Sequence, residues 1–255
     1  MKYLTGFLMV STLLASGCST MQLGQANANL TQLYQEKSHA DVYVQSAARE
    51  GLSALGREAG AAADKASDPQ NKIAFYRIAV TAAWQAGDYQ PINQYARAGQ
   101  ALCKSQNLDN RDCLMLLVFP EFAAIDETSE ELKRIKPRCS AYSTECLNLY
   151  ETAFNRYSGA LARLIDHWPK VGAGSADPLF APEVAKRMGE VTCEKAQGGI
   201  VGSLLQWHSA DNETLRESAK SIRSQLKALL AQQENARISD LAKGKFSCRD
   251  QVNRD

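Results

Sequence analysis

Hydrophobic positions recur along this chain at intervals of three and four, the period of an amphipathic helix and not the two-residue alternation of a strand. The longest series is Leu147, Tyr150, Phe154, Tyr157, Leu161, Leu164 and Trp168, a strict a/d stripe that predicts one helix halted by Pro169. Leu215, Ala219, Ile222, Leu226 and Leu229 form a second stripe of the same period. The two are expected to pack in one core, with an intermolecular coiled coil as the alternative. Nearer the N-terminus the pattern turns helical from Leu30, and Ala48, Leu52, Leu55, Ala59 and Ala62 share one face. Gly51, Gly56 and Gly60 each weaken that helix by about 1 kcal/mol relative to Ala, unless another backbone packs closely there.

Punctuation marks divide these stretches. Ser67-Asp68-Pro69-Gln70 reads as a helix start, with a capping side chain and a proline tolerated in the first turn. That helix is expected to reach Ala86, turn at Gly87-Asp88-Tyr89, and be followed by a second from about Gln90 to Lys104. Thr128-Ser129-Glu130-Glu131 reads as a capping box opening a short helix that Pro137 closes. Residues 170–182, with two glycines and two prolines, read as a loop or subdomain boundary, Pro182 suiting the first turn of a further helix.

Composition agrees with this pattern. The 255 residues are 45% hydrophobic but only 7% aromatic, and Ala, Leu, Gln, Glu, Lys and Arg fill long windows with few prolines. The expected fold is all-α, built of helical hairpins as a solenoid or bundle and stapled by disulfides. With 29 basic and 28 acidic residues, net charge gives no reason to expect nucleic acid as a partner, and the hydrophobic content excludes a disordered chain.

The first residues bear on location. Lys2 precedes an apolar run from Leu4 to Leu14, then Ala15-Ser16-Gly17-Cys18. A positive start, a run too short to span a bilayer, and small residues before a cut describe an export signal. With Cys directly after them, the segment resembles the lipobox of bacterial lipoproteins, Ala15 standing where Leu is commoner. The resemblance implies that residues 1–17 are removed and that Cys18 carries diacylglycerol and an amide-linked acyl chain such as palmitate. Residues 1–17 hold one base and no acid, so the remainder has 28 of each sign. Its attachment would then depend on acyl chains and not on a basic patch. Ser19 follows Cys18, where an Asp commonly retains such proteins at the inner membrane; the resemblance therefore implies the outer membrane, facing the periplasm. Residues 18–29 are small and polar and read as a lipidated tether.

Tyr76-Arg77-Ile78-Ala79-Val80-Thr81-Ala82-Ala83-Trp84-Gln85-Ala86-Gly87-Asp88-Tyr89 resembles the first helix and turn of a tetratricopeptide repeat. Large residues stand at Tyr76 and Trp84, a small one at Ala82, and Gly-Asp-Tyr makes the turn. In the second helix Ile92 and Gly99 stand where the family usually has Ala, although Ala96 is suitably small. One repeat cannot bury its own hydrophobic face, so residues 42–62 and 112–124 are expected to act as degenerate neighbours. This divides the body into a repeat-like region, 30–126, and a helical bundle, 127–255. The resemblance implies partner binding on the concave side, at Tyr76, Arg77, Thr81, Asn93 and Arg97.

Cys103, Cys113, Cys139, Cys146, Cys193 and Cys248 make an even count, which in an exported chain favours disulfides. Fifteen connectivities are possible. Sequential pairing is the simplest: Cys103 with Cys113, Cys139 with Cys146, Cys193 with Cys248. No Cys-x-x-Cys pair supports zinc. Nor does enzyme chemistry assemble: Glu217-Ser218 lacks the segments that accompany it in lysozyme-like transglycosylases, Ser224-x-x-Lys227 lacks Lys-Thr-Gly, and Gly-x-Ser-x-Gly is missing. His39, His167 and His208 lie far apart. Gly172-Ala173-Gly174 lacks the third glycine of a nucleotide fingerprint, and Lys243-Gly244-Lys245 is only a small basic patch. The sequence therefore points to a lipid-anchored envelope protein without cofactor or metal that binds another protein. The alternative is an enzyme or ligand carrier with a pocket between two helical halves, lined by His167 or Glu151.

Overall fold

A computed structural model describes residues 19–39, 41–139, 141–174, 179–198, 212–242 and 246. Among them the chain is all-α, with nine helices and no strand. They are α1 (Ser19–Lys37), α2 (Val42–Lys65), α3 (Pro69–Ala86), α4 (Ile92–Ser105), α5 (Arg111–Ile135), α6 (Thr144–Gly174), α7 (Phe180–Gly198), α8 (Glu213–Asn235) and α9 (Ile238–Leu241). The chain forms two compact units that divide between Leu108 and Asp109.

The first unit is centred on the α2–α3 hairpin, with α1 against both helices and α4 against α3. Its core is made of small side chains. Leu52, Ala59 and Ala63 of α2 meet a face of α3 that includes Ala79, Ala82 and Ala83, all at most 3% exposed. The glycines of α2 permit this approach. A Cβ at Gly56 would lie 3.3 Å from the Ala79 carbonyl oxygen and the Ala83 nitrogen, and one at Gly51 would lie 2.8 Å from Leu33 of α1. Caps fix the hairpin ends: Asp41 accepts from the Tyr43 amide, and Asp68, within the expected helix start, accepts from the Asn71 amide with Pro69 in the first turn. Gly87 closes α3 in the left-handed region (φ 77°), a conformation that costs glycine least.

The second unit is built on a long hairpin of α5 and α6, with α8 against α6, α7 against both, and α9 between α7 and α8. All seven members of the α6 stripe are buried, from Leu147 to Trp168, and so are all five of the α8 stripe. The two stripes meet in one core: Ser218 of α8 donates to Glu151 of α6 at 2.5 Å, and the Trp168 indole donates to the Ala236 carbonyl at 3.1 Å. The Cys139–Cys146 disulfide closes the turn between α5 and α6. Cys103, Cys113 and Cys193 are also disulfide-bonded; Cys248 lies outside the described residues.

Four expectations are corrected. Residues 19–29 are not an extended tether but part of α1. Leu33 packs on Gly51, Arg77 donates to Asn27 and Lys37 to Gln85, so tertiary contacts hold a helix whose composition alone suggested a linker. The boundary at 126/127 falls inside α5, and residues 112–124 belong to the second unit. Thr128 and Ser129 are not caps: their hydroxyls donate to the Ala124 and Ile125 carbonyls, the back-bonding of residues inside a helix. Pro169 does not end α6, which runs on to Gly174; Val171, wholly buried, and the Trp168 bond hold the turn that the proline's missing donor weakens. The expected loop at 170–182 thus shrinks: residues 170–174 are helical, 175–178 lie outside the described residues, and α7 begins at Phe180 with Pro182 in its first turn.

Candidate functional site

The five residues expected on a concave partner face do not form one surface. Tyr76 is 6% exposed and its hydroxyl donates to Asp64 of α2 at 2.7 Å, while its ring stacks on Tyr95 of α4 with centroids 6.5 Å apart. Burial, then the hydrogen bond to Asp64 and that carboxylate's charge, push the Tyr76 phenol up to about 12. Arg77 donates to Asn27 of α1 at 2.7 Å, and Thr81 donates back to the Arg77 carbonyl at 2.8 Å. Tyr76 and Arg77 thus brace α3 against α2 and α1, while the Thr81 bond stays within α3. Asn93 and Arg97 alone of the five are exposed, both on α4.

Beside them lies a polar network at the α3–α4 turn. Ser53 of α2 donates to Asp88 at 3.1 Å, and Arg57 donates to Ser53 at 2.8 Å and stands 4.0 Å from Asp88. Tyr95 packs its ring over Gly60, where a Cβ would come within 2.5 Å of it. Its phenol is raised by burial and by the nearby Asp64 and Asp88 charges. This network ties the turn to α2.

The surface that sequence reasoning missed is the end of the α1–α2 hairpin. Tyr34, Val42 and Tyr43 are 53%, 72% and 88% exposed there, and His39 accepts from the Asp41 amide within the connecting turn. The phase of the pattern contained the signal. Tyr43 lies on the side of α2 opposite Ala48, Leu52, Leu55 and Ala59, so no neighbour in the hairpin can cover it.

In the second unit, the two polar side chains proposed as a pocket lining are Glu151 and His167, both on α6. Glu151 is bound by Ser218. His167 is half-buried, and desolvation lowers its pKa against the opposing pull of Asp166. Arg163 pairs with Glu121 at 2.8 Å and Arg187 with Asp126 at 2.8 Å, holding α6 and α7 to α5. Burial raises the Glu121 carboxyl, and Arg163 opposes that rise. Glu217 is an exposed side chain 3.9 Å from Lys220. His208 and Lys243-Gly244-Lys245 lie outside the described residues. Among the described residues no three His, Cys, Asp or Glu side chains converge as a metal set, and no helix is long and apolar enough to cross a membrane.

No family model, curated protein or solved structure matches the chain.

Proposed function

We propose that this chain is a non-enzymatic protein, anchored by lipid on Cys18 to the periplasmic face of a bacterial outer membrane, that binds another envelope protein as an assembly or interaction factor. The observation that carries the partner-binding part is the exposed tip of the α1–α2 hairpin. Tyr34 near the end of α1 and Val42 and Tyr43 at the start of α2 each present large apolar surface to solvent, which supports an interaction surface there. The exposed Asn93 and Arg97 of α4 add a polar margin of the same unit. The likeness of residues 76–89 to a tetratricopeptide repeat adds to this reading, since proteins of that kind serve as binding platforms. The anchor is supported by the residues before Cys18.

In-cell crosslinking followed by affinity purification of the intact chain tests the binding reading. A stoichiometric protein partner is expected, lost in Tyr43→Ser with Arg97→Ala. Retention of a small molecule or glycan with no protein would replace this reading by a ligand carrier. Cys18→Ser tests the anchor: soluble or unprocessed protein is expected, and unchanged membrane fractionation refutes it.

A further inference from the structure

α1 differs from the other helices of the first unit in what it buries. α2, α3 and α4 each sink side chains into the core, among them Leu52, Ala79 and Ala96, whereas no side chain from Thr20 to Lys37 is buried. Leu23, Leu30 and Leu33, the leucines of α1, are only partly covered. The helix nevertheless rests on both α2 and α3. Contacts at three levels tie it there: Asn27 accepts from Arg77 at 2.7 Å, Leu33 lies over Gly51, and Lys37 donates to Gln85 at 2.8 Å.

Its own sequence does little to keep it helical. Gly24, Asn27, Asn29 and Thr31 are all weak helix formers. Asn27 and Thr31 turn their side chains back on the Leu23 and Asn27 carbonyls, local bonds that compete with the helical ladder. A helix of 19 residues gains little stability alone in water, so α1 depends on the groove it lies in. The groove does not depend on α1 in return. α2 meets α3 through Leu52, Ala59 and Ala63, all at most 3% exposed, and through the close approach at Gly56, contacts that remain when α1 leaves. A segment with few buried apolar contacts opens at a lower free energy than the core it lies on.

We infer that α1 is a displaceable strap, which opens from the α2–α3 groove as a unit while that hairpin stays folded, and which in its closed state keeps the groove from a partner's helix. The helix that takes its place carries α1's own chemistry: a leucine to lie over Gly51 and an acceptor oxygen for Arg77. That natural occupant rests on the partner-binding reading above; the strap itself does not. Closed, α1 also fixes where the first unit stands relative to Ser19, and opening gives that up.

The test uses the full-length chain and a fluorescent peptide of residues 19–37. In hydrogen exchange, the amides of α1 are expected to exchange at least about a hundredfold faster than those at the α2–α3 contact. Leu33→Cys with Gly51→Cys locks the strap on oxidation: the Leu33 Cγ, whose place one sulfur takes, lies 3.7 Å from a Cβ at Gly51, and the shorter side chain relieves the 2.8 Å contact. The peptide should bind the wild-type chain in a fluorescence anisotropy titration. It should bind Leu33→Ser about tenfold more tightly, because that strap is open more of the time, and should not bind the oxidised double-cysteine chain. Exchange in α1 as slow as in α2 and α3 overturns the proposal, and so does loss of α2 and α3 protection together with α1 in Leu33→Ser. Equal peptide binding to the locked and wild-type chains, or none to either wild type or Leu33→Ser, overturns it as well. Peptide binding that follows the expected order while crosslinking in cells captures no protein keeps the strap and refutes the partner reading, so the two fail separately.

Discussion

Replacing Tyr76 by Phe removes one hydroxyl and leaves the buried ring, its stack on Tyr95 and the packing of α3 in place. The lost bond runs to Asp64, a carboxylate in solvent that recovers water when the phenol is gone. No donor remains buried and unpaired. The cost therefore falls at the low end for a charged acceptor, about 1 kcal/mol at neutral pH. In a unit of this size that is a fall in Tm of about 4–8 °C. The sign then changes with pH. The folded phenol is held up to about 12 against an ordinary value of 10.0. Below pH 10 both folded and unfolded chains keep the proton, so the wild type has its full advantage. Between pH 10 and 12 the unfolded chain ionises first, and the wild type loses up to about 2.7 kcal/mol over two pH units. Tyr76→Phe has no such loss, so the two stabilities cross between pH 10 and 11, where the growing loss reaches the neutral-pH deficit of about 1 kcal/mol. Urea unfolding followed by circular dichroism at a series of pH values reads this directly. Stability curves that stay parallel from neutral to alkaline pH would refute the assignment. So would loss of partner capture in Tyr76→Phe, since a brace between α2 and α3 has no reason to affect binding.

Gly56→Val puts a branched side chain where a Cβ already lies 3.3 Å from α3 backbone atoms, so α2 and α3 must part; a loss of about 2 kcal/mol in thermal or urea unfolding is expected, and wild-type stability would refute the close approach. Cys139→Ser with Cys146→Ser opens a short loop and should cost about 2.5 kcal/mol by chain entropy, measured against the wild type with its other bonds intact. Arg163→Gln strands the largely buried Glu121 carboxylate and should cost about 1–2 kcal/mol at neutral pH. Because burial holds the Glu121 pKa above 4.5, this deficit shrinks as acid protonates the group, and a deficit that grows below pH 5 would contradict it.

The stripes of α6 and α8 were fully legible, because their large residues repeat over many turns and a buried helix face leaves that pattern little freedom. The α2–α3 hairpin was legible for a different reason: Pro69 and Gly87 punctuate its second helix, and the α2 glycines predict the close approach that the Ala79 and Ala83 backbone makes. What escaped depended on contacts distant in sequence. Thr128 and Ser129 have the residue types of a cap, and only the continuity of α5 turns their hydroxyls back on Ala124 and Ile125. Tyr76 was expected to bind a partner because the repeat likeness places it on the concave side. Its role was decided by Asp64, twelve residues earlier on another helix, a distance that no local pattern spans.

The helical state of residues 19–29 changes what the lipid anchor would do mechanically. A flexible tether of that length would let the body wander from the membrane and rotate freely. A helix that begins at Ser19 and is bonded into the first unit through Asn27–Arg77 and Lys37–Gln85 transmits orientation instead. Its 19 residues span about 28 Å, so the Tyr34, Val42 and Tyr43 tip stands at the end of α1 opposite Cys18. On the anchor reading, the tip is held by a helix at a fixed place relative to the start of α1, and a partner meets it in a restricted orientation. Inserting a flexible glycine-serine segment between Cys18 and Ser19 removes that restriction and should weaken partner capture at the tip in intact membranes. Equal capture with and without the insert would show that binding draws nothing from the anchor's geometry.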